Sequence, residues 1–122
     1  MKSLTTFIAA ILFSLSLVPA HADEQTENVV LINAFTVPAE KIDEAIAMWE
    51  MARDFLKEQP GYVSTKLHRS LSPDAKYLLI NVAQWETSET YKAATSLMRK
   101  EASLPRIEGV VPSPGLYKVI RE

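Results

Sequence analysis

Hydrophobic and polar positions follow two periods along this chain. Val29 to Val37 and Tyr77 to Glu86 are nearly continuous apolar runs of strand length. Tyr62 to Ser70 alternates, with Val63, Thr65 and Leu67 on one side and Ser64, Lys66 and His68 on the other. Gly115 to Ile120 reads as a last short strand. Between these runs the period lengthens. From about Lys41 to Glu58, the residues Ile42, Ile46, Trp49, Ala52, Phe55 and Leu56 fall near one helical face. Glu40, Asp43 and Glu44 sit in or near the first turn, where the helix dipole favours negative charge. Thr87 can cap a second helix, whose apolar stripe is Tyr91, Ala94, Leu97, Met98 and Ala102.

Punctuation agrees with these elements. Pro38 ends the first strand, and Gln59-Pro60-Gly61 stops the first helix because proline cannot continue its hydrogen-bond ladder. Ser72-Pro73-Asp74-Ala75 is turn chemistry and makes a hairpin of the second and third strands. Leu104 to Pro114, with three prolines, reads as an irregular connection. The order is β-α-β-β-α-β, a ferredoxin-like α+β fold with an antiparallel sheet and two helices on one face. The other face is left uncovered, so its apolar residues need a second copy of the chain. A homodimer is the simplest arrangement.

The first residues read as an address. Lys2 gives a positive start, Phe7 to Val18 an apolar stretch, and Ala20-His21-Ala22 a small-x-small cleavage site. That stretch is shorter than the roughly 20 residues a membrane span needs. Residues 1–22 are therefore expected to be a cleaved signal peptide, and residues 23–122 one domain, periplasmic or secreted, without membrane attachment. Processing leaves 100 of the 122 residues and removes one of the 13 basic side chains, for a formal charge of −3. Such a surface gives no encouragement to nucleic-acid or anionic-membrane binding. The chain has no cysteine, so stability must come from its core and any subunit interface. Only His68 of the two histidines survives processing, and no ligand-spaced Cys/His/carboxylate cluster exists, so no metal site is expected.

Two amides interrupt the apolar strands: Asn33 in the first and Asn81 in the third. An unmatched buried polar group costs about 1–3 kcal/mol, so either the fold or a ligand must satisfy each one. Asn33 is suited to donate to a substrate oxygen that becomes negative, or else to bond the backbone. Trp85 lies on the same strand face as Asn81 and offers an indole N–H and a stacking ring, or simple packing. His68 is the only remaining side chain with an unperturbed pKa near neutrality, hence a candidate base. It shares its strand face with Lys66, which also suits a solvated histidine. Tyr62, Tyr91 and Trp49 can line a pocket or complete the core.

Several strings together resemble the antibiotic biosynthesis monooxygenase domain family. They are Leu31-Ile32-Asn33-Ala34-Phe35-Thr36-Val37-Pro38, Gln59-Pro60-Gly61-Tyr62, Leu67-His68-Arg69-Ser70-Leu71, Asn81-Val82-Ala83-Gln84-Trp85-Glu86 and the segment from Gly109 to Tyr117. The resemblance implies a dimeric α/β barrel, with a cavity between helices and sheet in each subunit. Some members of that family oxidise phenolic or hydroquinone polyketides with dioxygen and no cofactor. Others degrade heme with an Asn, a Trp and a His. Asn33 matches the family's strand asparagine and Trp85 the tryptophan before the second helix. Where the heme-ligand histidine belongs, Thr95 and Ser96 stand instead.

The resemblance therefore implies a cofactor-independent monooxygenase acting on a small phenolic or hydroquinone aromatic. Its expected catalytic residues are Asn33, Trp85 and His68, with Asn81, Tyr62, Trp49 and Tyr91 binding substrate. The alternatives are a non-enzymatic carrier using the same cavity and a structural dimer with a filled interior.

Overall fold

The computed structural model describes residues 28–122, and the expected signal segment and the polar leader after it lie outside that range. Strand β1 (Val29–Thr36) leads through a 3-10 turn (Ala39–Lys41) into helix α1 (Ile42–Leu56). Strands β2 (Tyr62–Arg69) and β3 (Leu79–Trp85) follow as a hairpin, then helix α2 (Ser88–Glu101) and strand β4 (Val111–Tyr117). The sheet order is β2-β3-β1-β4 with every pairing antiparallel. This is the expected ferredoxin-like architecture. Among the described residues, no helix is long and apolar enough to cross a membrane.

Strand parity decides what faces the helices. Leu31, Asn33 and Phe35 of β1 stand directly opposite Ala83, Asn81 and Leu79 of β3. Because side chains alternate along a strand, all six lie on one face of the sheet. The apolar members divide between two clusters. Phe35, Leu79, Val37 and Leu78 join Ile42 and Ala45 of α1 at one end. At the other end, Leu31, Ala83 and Trp85 join Ala94 of α2. Asn33 and Asn81 occupy the level between them.

Three departures from the sequence reading have local causes. Tyr62 pairs with Trp85 and Ser64 with Gln84, so Val63 is the extra residue of a β-bulge. The bulge breaks the simple alternation: Tyr62 joins Thr65 and Leu67 on the inner face, while Val63 is 42% exposed. Strand β4 begins at Val111, well before Gly115, and so includes Pro112 and Pro114. Proline lacks the ladder N–H, but β4 is an edge strand and needs donors on only one side. Strand β3 begins at Leu79, and Tyr77 and Leu78 still belong to the approach from the turn.

Helix α2 is anchored at its start. Thr87 Oγ1 accepts from the Thr90 N–H at 3.0 Å, and Thr90 Oγ1 accepts from the Thr87 N–H at 3.3 Å. This reciprocal cap satisfies donors that no helical turn can reach. The Thr90 side chain also lies against Gly61, whose φ is +87°, at the spot where a Cβ would project. One glycine thus permits both the turn into β2 and the approach of α2. Among the described residues, no helix covers the opposite face of the sheet. Ile32 and Tyr117 are 37% and 56% exposed there, alongside Val30, Val82 and Ile80.

Candidate active site

Between sheet and helices lies a cavity of about 550 Å3. The sheet forms its floor, with Thr65, Asn81 and Asn33 contributed by three adjacent strands. Helix α1 supplies one wall from Met48, Trp49, Ala52, Arg53 and Leu56. Helix α2 supplies the other from Tyr91, Lys92, Thr95, Met98 and Arg99. Both sets recur at three- and four-residue spacing, so each wall is one helical face. The lining is mainly apolar, with a few polar groups converging on the floor, as small-molecule sites commonly are.

The polar groups on the floor are oriented by the protein itself. Ser113 donates its backbone N–H to Asn33 Oδ1 at 3.0 Å. A backbone N–H can only donate, so this bond fixes which end of the Asn33 amide is oxygen. Thr65 Oγ1 donates to Asn81 Oδ1 at 2.6 Å, and Asn81 is only 7% exposed. With both carbonyl oxygens engaged, the two Nδ2 groups remain as donors. Neither is bonded to an acceptor among the described residues.

Trp85 is 1% exposed and held edge-on by two tyrosines. Its ring centroid lies 5.6 Å from that of Tyr62 at 87° and 5.7 Å from that of Tyr91 at 70°. Such T-shaped pairs add roughly 0.5–1.5 kcal/mol each beyond area burial. The packing and ligand readings of Trp85 therefore coexist: its ring body is fixed by neighbours, and its edge borders the cavity. No hydrogen bond joins its Nε1 to another described residue, although no fully buried side-chain nitrogen lacks a partner.

Among the described residues, the charged side chains lining the cavity are Arg53, Lys92 and Arg99, and none is Asp, Glu or His. Burial pushes the Tyr91 phenol above its ordinary value, opposed by the nearby Arg99 charge. Tyr91 therefore stays neutral around pH 7. Arg53 stacks over Trp49 at 5.2 Å, a cation–π contact that steadies one wall.

Six of the residues expected from the sequence meet in this cavity: Asn33, Asn81, Trp85, Tyr62, Trp49 and Tyr91. His68 does not. It stands opposite Ile80, exposed on the uncovered face, with Nδ1 3.3 Å from the Ile80 carbonyl oxygen. Three residues separate it from Thr65, and an odd offset along a strand reverses the face. His68 therefore cannot act as a base inside this cavity. Sequence reasoning passed over Thr65, although a hydroxyl on the apolar side of an alternating strand marks it. It also passed over Lys92 and Arg99, which flank Tyr91 and Met98 at helical spacing.

The heme chemistry found in part of the resembled family needs an axial donor. Thr95 lines the cavity on α2, and its hydroxyl is 3.1 Å from both the Tyr91 and the Lys92 carbonyl oxygens. Among the described residues the lining holds no imidazole or thiolate, so these residues do not fit a histidine-ligated heme.

The family model described as antibiotic biosynthesis monooxygenase matches residues 28–97. A solved candidate monooxygenase from Shewanella loihica PV-4 is 46% identical, covering 79% of this chain and 97% of that one, with a TM-score of 0.73. SnoaB, a cofactor-independent oxygenase from Streptomyces nogalater, is 20% identical over 79% of this chain and 96% of its own, with a TM-score of 0.58. MhuD, a heme degrader from Mycobacterium tuberculosis solved with two hemes in its active site, is 22% identical over 77% and 97%, with a TM-score of 0.60. At that identity the last two establish the shared fold alone. No curated protein matches the sequence. With more than half its length matched by the family model and a 46% identical relative spanned almost end to end, this chain belongs to the antibiotic biosynthesis monooxygenase family.

Proposed function

We propose that this protein is a cofactor-independent monooxygenase that oxidises a small phenolic or hydroquinone-type aromatic with dioxygen. One observation carries the reading: the amide donors of Asn33 and Asn81 and the indole edge of Trp85 border one apolar cavity. Preorganised donors in a water-poor site stabilise a developing oxyanion strongly. Among the described residues no Asp, Glu or His lines the cavity, so the substrate gives up its phenolic proton to bulk water on entry and is held as the phenolate. That anion transfers an electron to dioxygen, and the radical pair recombines at a ring carbon as a peroxide. Proton return and loss of water leave a carbonyl, so that phenol plus O2 gives quinone plus H2O. The protein orients the ring and excludes solvent.

The reading extends to assembly and location. The apolar face bearing Ile32, Val82 and Tyr117 would be covered by a second copy, and the amino-terminal segment would direct export.

Oxygen uptake tests the reading. Purified protein with 1,4-dihydroxynaphthalene should consume oxygen faster than buffer, with one 2-hydroxy-1,4-naphthoquinone and one water formed per O2 and no hydrogen peroxide. Asn33→Ala and Trp85→Phe should each lower turnover about 100-fold or more, the size expected for one lost oxyanion donor. Ligand binding with no uptake above the uncatalysed rate would instead support a carrier that uses the same cavity.

A further inference from the structure

Charge is distributed unevenly between this cavity and the rest of the molecule. The chain as a whole holds 15 acidic and 13 basic residues, yet the cavity lining holds three basic side chains and no acidic one. The three are not equivalent. Arg53 Nε is bonded to Asp54 Oδ1 at 3.1 Å, and that carboxylate is also 3.4 Å from Lys57 Nζ. Arg53 is thus partly neutralised. Lys92 and Arg99 have no carboxylate partner among the described residues. Arg99 Nε donates to the Thr95 carbonyl oxygen at 3.3 Å, which holds the side chain along α2 and leaves its terminal nitrogens free. These two cations flank Thr95 on the α2 wall, while the amide donors lie on the sheet floor.

We propose that Lys92 and Arg99 form an anion subsite on the helix wall, selecting aromatic ligands that carry a carboxylate. This deepens the proposed oxidation and rests on the same cavity being the substrate site. A phenol oxygen alone needs only the floor donors. A ligand that also satisfies the α2 wall must bear a second, permanently ionised group on another edge of its ring. Lys92 and Arg99 are both exposed at the edge of the cavity, and hydrogen bonds to charged partners contribute more than neutral ones. The cations also raise the local concentration of anions around the cavity mouth, an effect that salt weakens.

Binding of redox-inert probes separates this subsite from catalysis. Quenching of the tryptophan fluorescence by 2-naphthoate and by neutral 2-naphthamide gives a matched pair of affinities. At low salt, 2-naphthoate should bind about tenfold more tightly, and the preference should shrink as salt rises. A Lys92→Gln/Arg99→Gln protein should lose the preference while binding 2-naphthamide as before, with unchanged circular dichroism. Equal affinity for the two probes, a preference that survives the double substitution, or no binding of either probe would each overturn the proposal. Oxygen uptake with neutral hydroquinones is a separate measurement. Uptake without anion preference defeats the subsite alone, and anion preference without uptake defeats the oxidation alone.

Discussion

Thr65 and Asn81 are joined across β2 and β3 by a 2.6 Å hydrogen bond in which the Thr65 hydroxyl donates to the Asn81 carbonyl oxygen. The bond leaves the amide nitrogen as the group available to the cavity. Thr65 is thus a positioning residue: its hydroxyl holds the carbonyl end of the amide.

Thr65→Val keeps the shape of the side chain and removes the donor. Turnover of a hydroquinone should fall about tenfold, matching a loss of roughly 1–1.5 kcal/mol, while KM changes less than about twofold. Thr65→Ser should restore most of the rate. Steady-state oxygen uptake for the three proteins checks this, and a Val variant with full turnover would remove Thr65 from the site.

Gly61→Ala should be strongly destabilising. Its backbone holds φ at +87°, and a Cβ would collide with the Thr90 side chain within the cap of α2. Strain at such a φ and displacement of the cap each contribute on the order of 1 kcal/mol or more. Urea denaturation should show a midpoint shift equivalent to about 2–3 kcal/mol. Thr87→Ala, which removes the cap alone, should cost about 1 kcal/mol.

Tyr91 makes stability depend on pH at the alkaline end. Its folded-state pKa is raised above the ordinary 10.0, chiefly by burial. The folded chain therefore holds this proton more tightly than the unfolded one. The contribution is fully present below pH 10 and is lost as pH rises through the folded value. Thermal unfolding between pH 8 and 11 should show Tm falling above pH 10, with a shallower fall for Tyr91→Phe.

Ile32 sits in the middle of the uncovered sheet face, between Val82 and Gly115 on the neighbouring strands. Ile32→Asp should convert a dimer to a monomer in sedimentation equilibrium. Far-ultraviolet circular dichroism should be retained, because the substitution faces away from the helices and the cavity. A wild-type chain that sediments as a monomer would refute the dimer directly.

Much of the fold was legible in the sequence because period and punctuation are local. The apolar run of β1, the stripe of α1 and the Gln59-Pro60-Gly61 stop need only neighbouring residues to be read. The bulge at Val63 was not legible, since it follows from how β2 meets β3. Nor was the early start of β4: Pro112 and Pro114 argue against a strand unless that strand is known to lie at an edge. At the site, Asn33, Asn81 and Trp85 stood out as polar or amphipathic groups in apolar runs. Thr65, Lys92 and Arg99 did not, because their neighbours come from other elements.

The sequence by itself determined the element order, the family and the presence of two amides that had to find partners inside the fold. Only the tertiary structure decided that Ser113 and Thr65 engage the carbonyl ends of those amides, that His68 faces away, and that the charged lining is wholly basic. Local spacing sets which residues of a strand or helix share a face, except where a bulge such as that at Val63 interrupts it. What that face meets depends on register and on helix placement, which are set by long-range contacts.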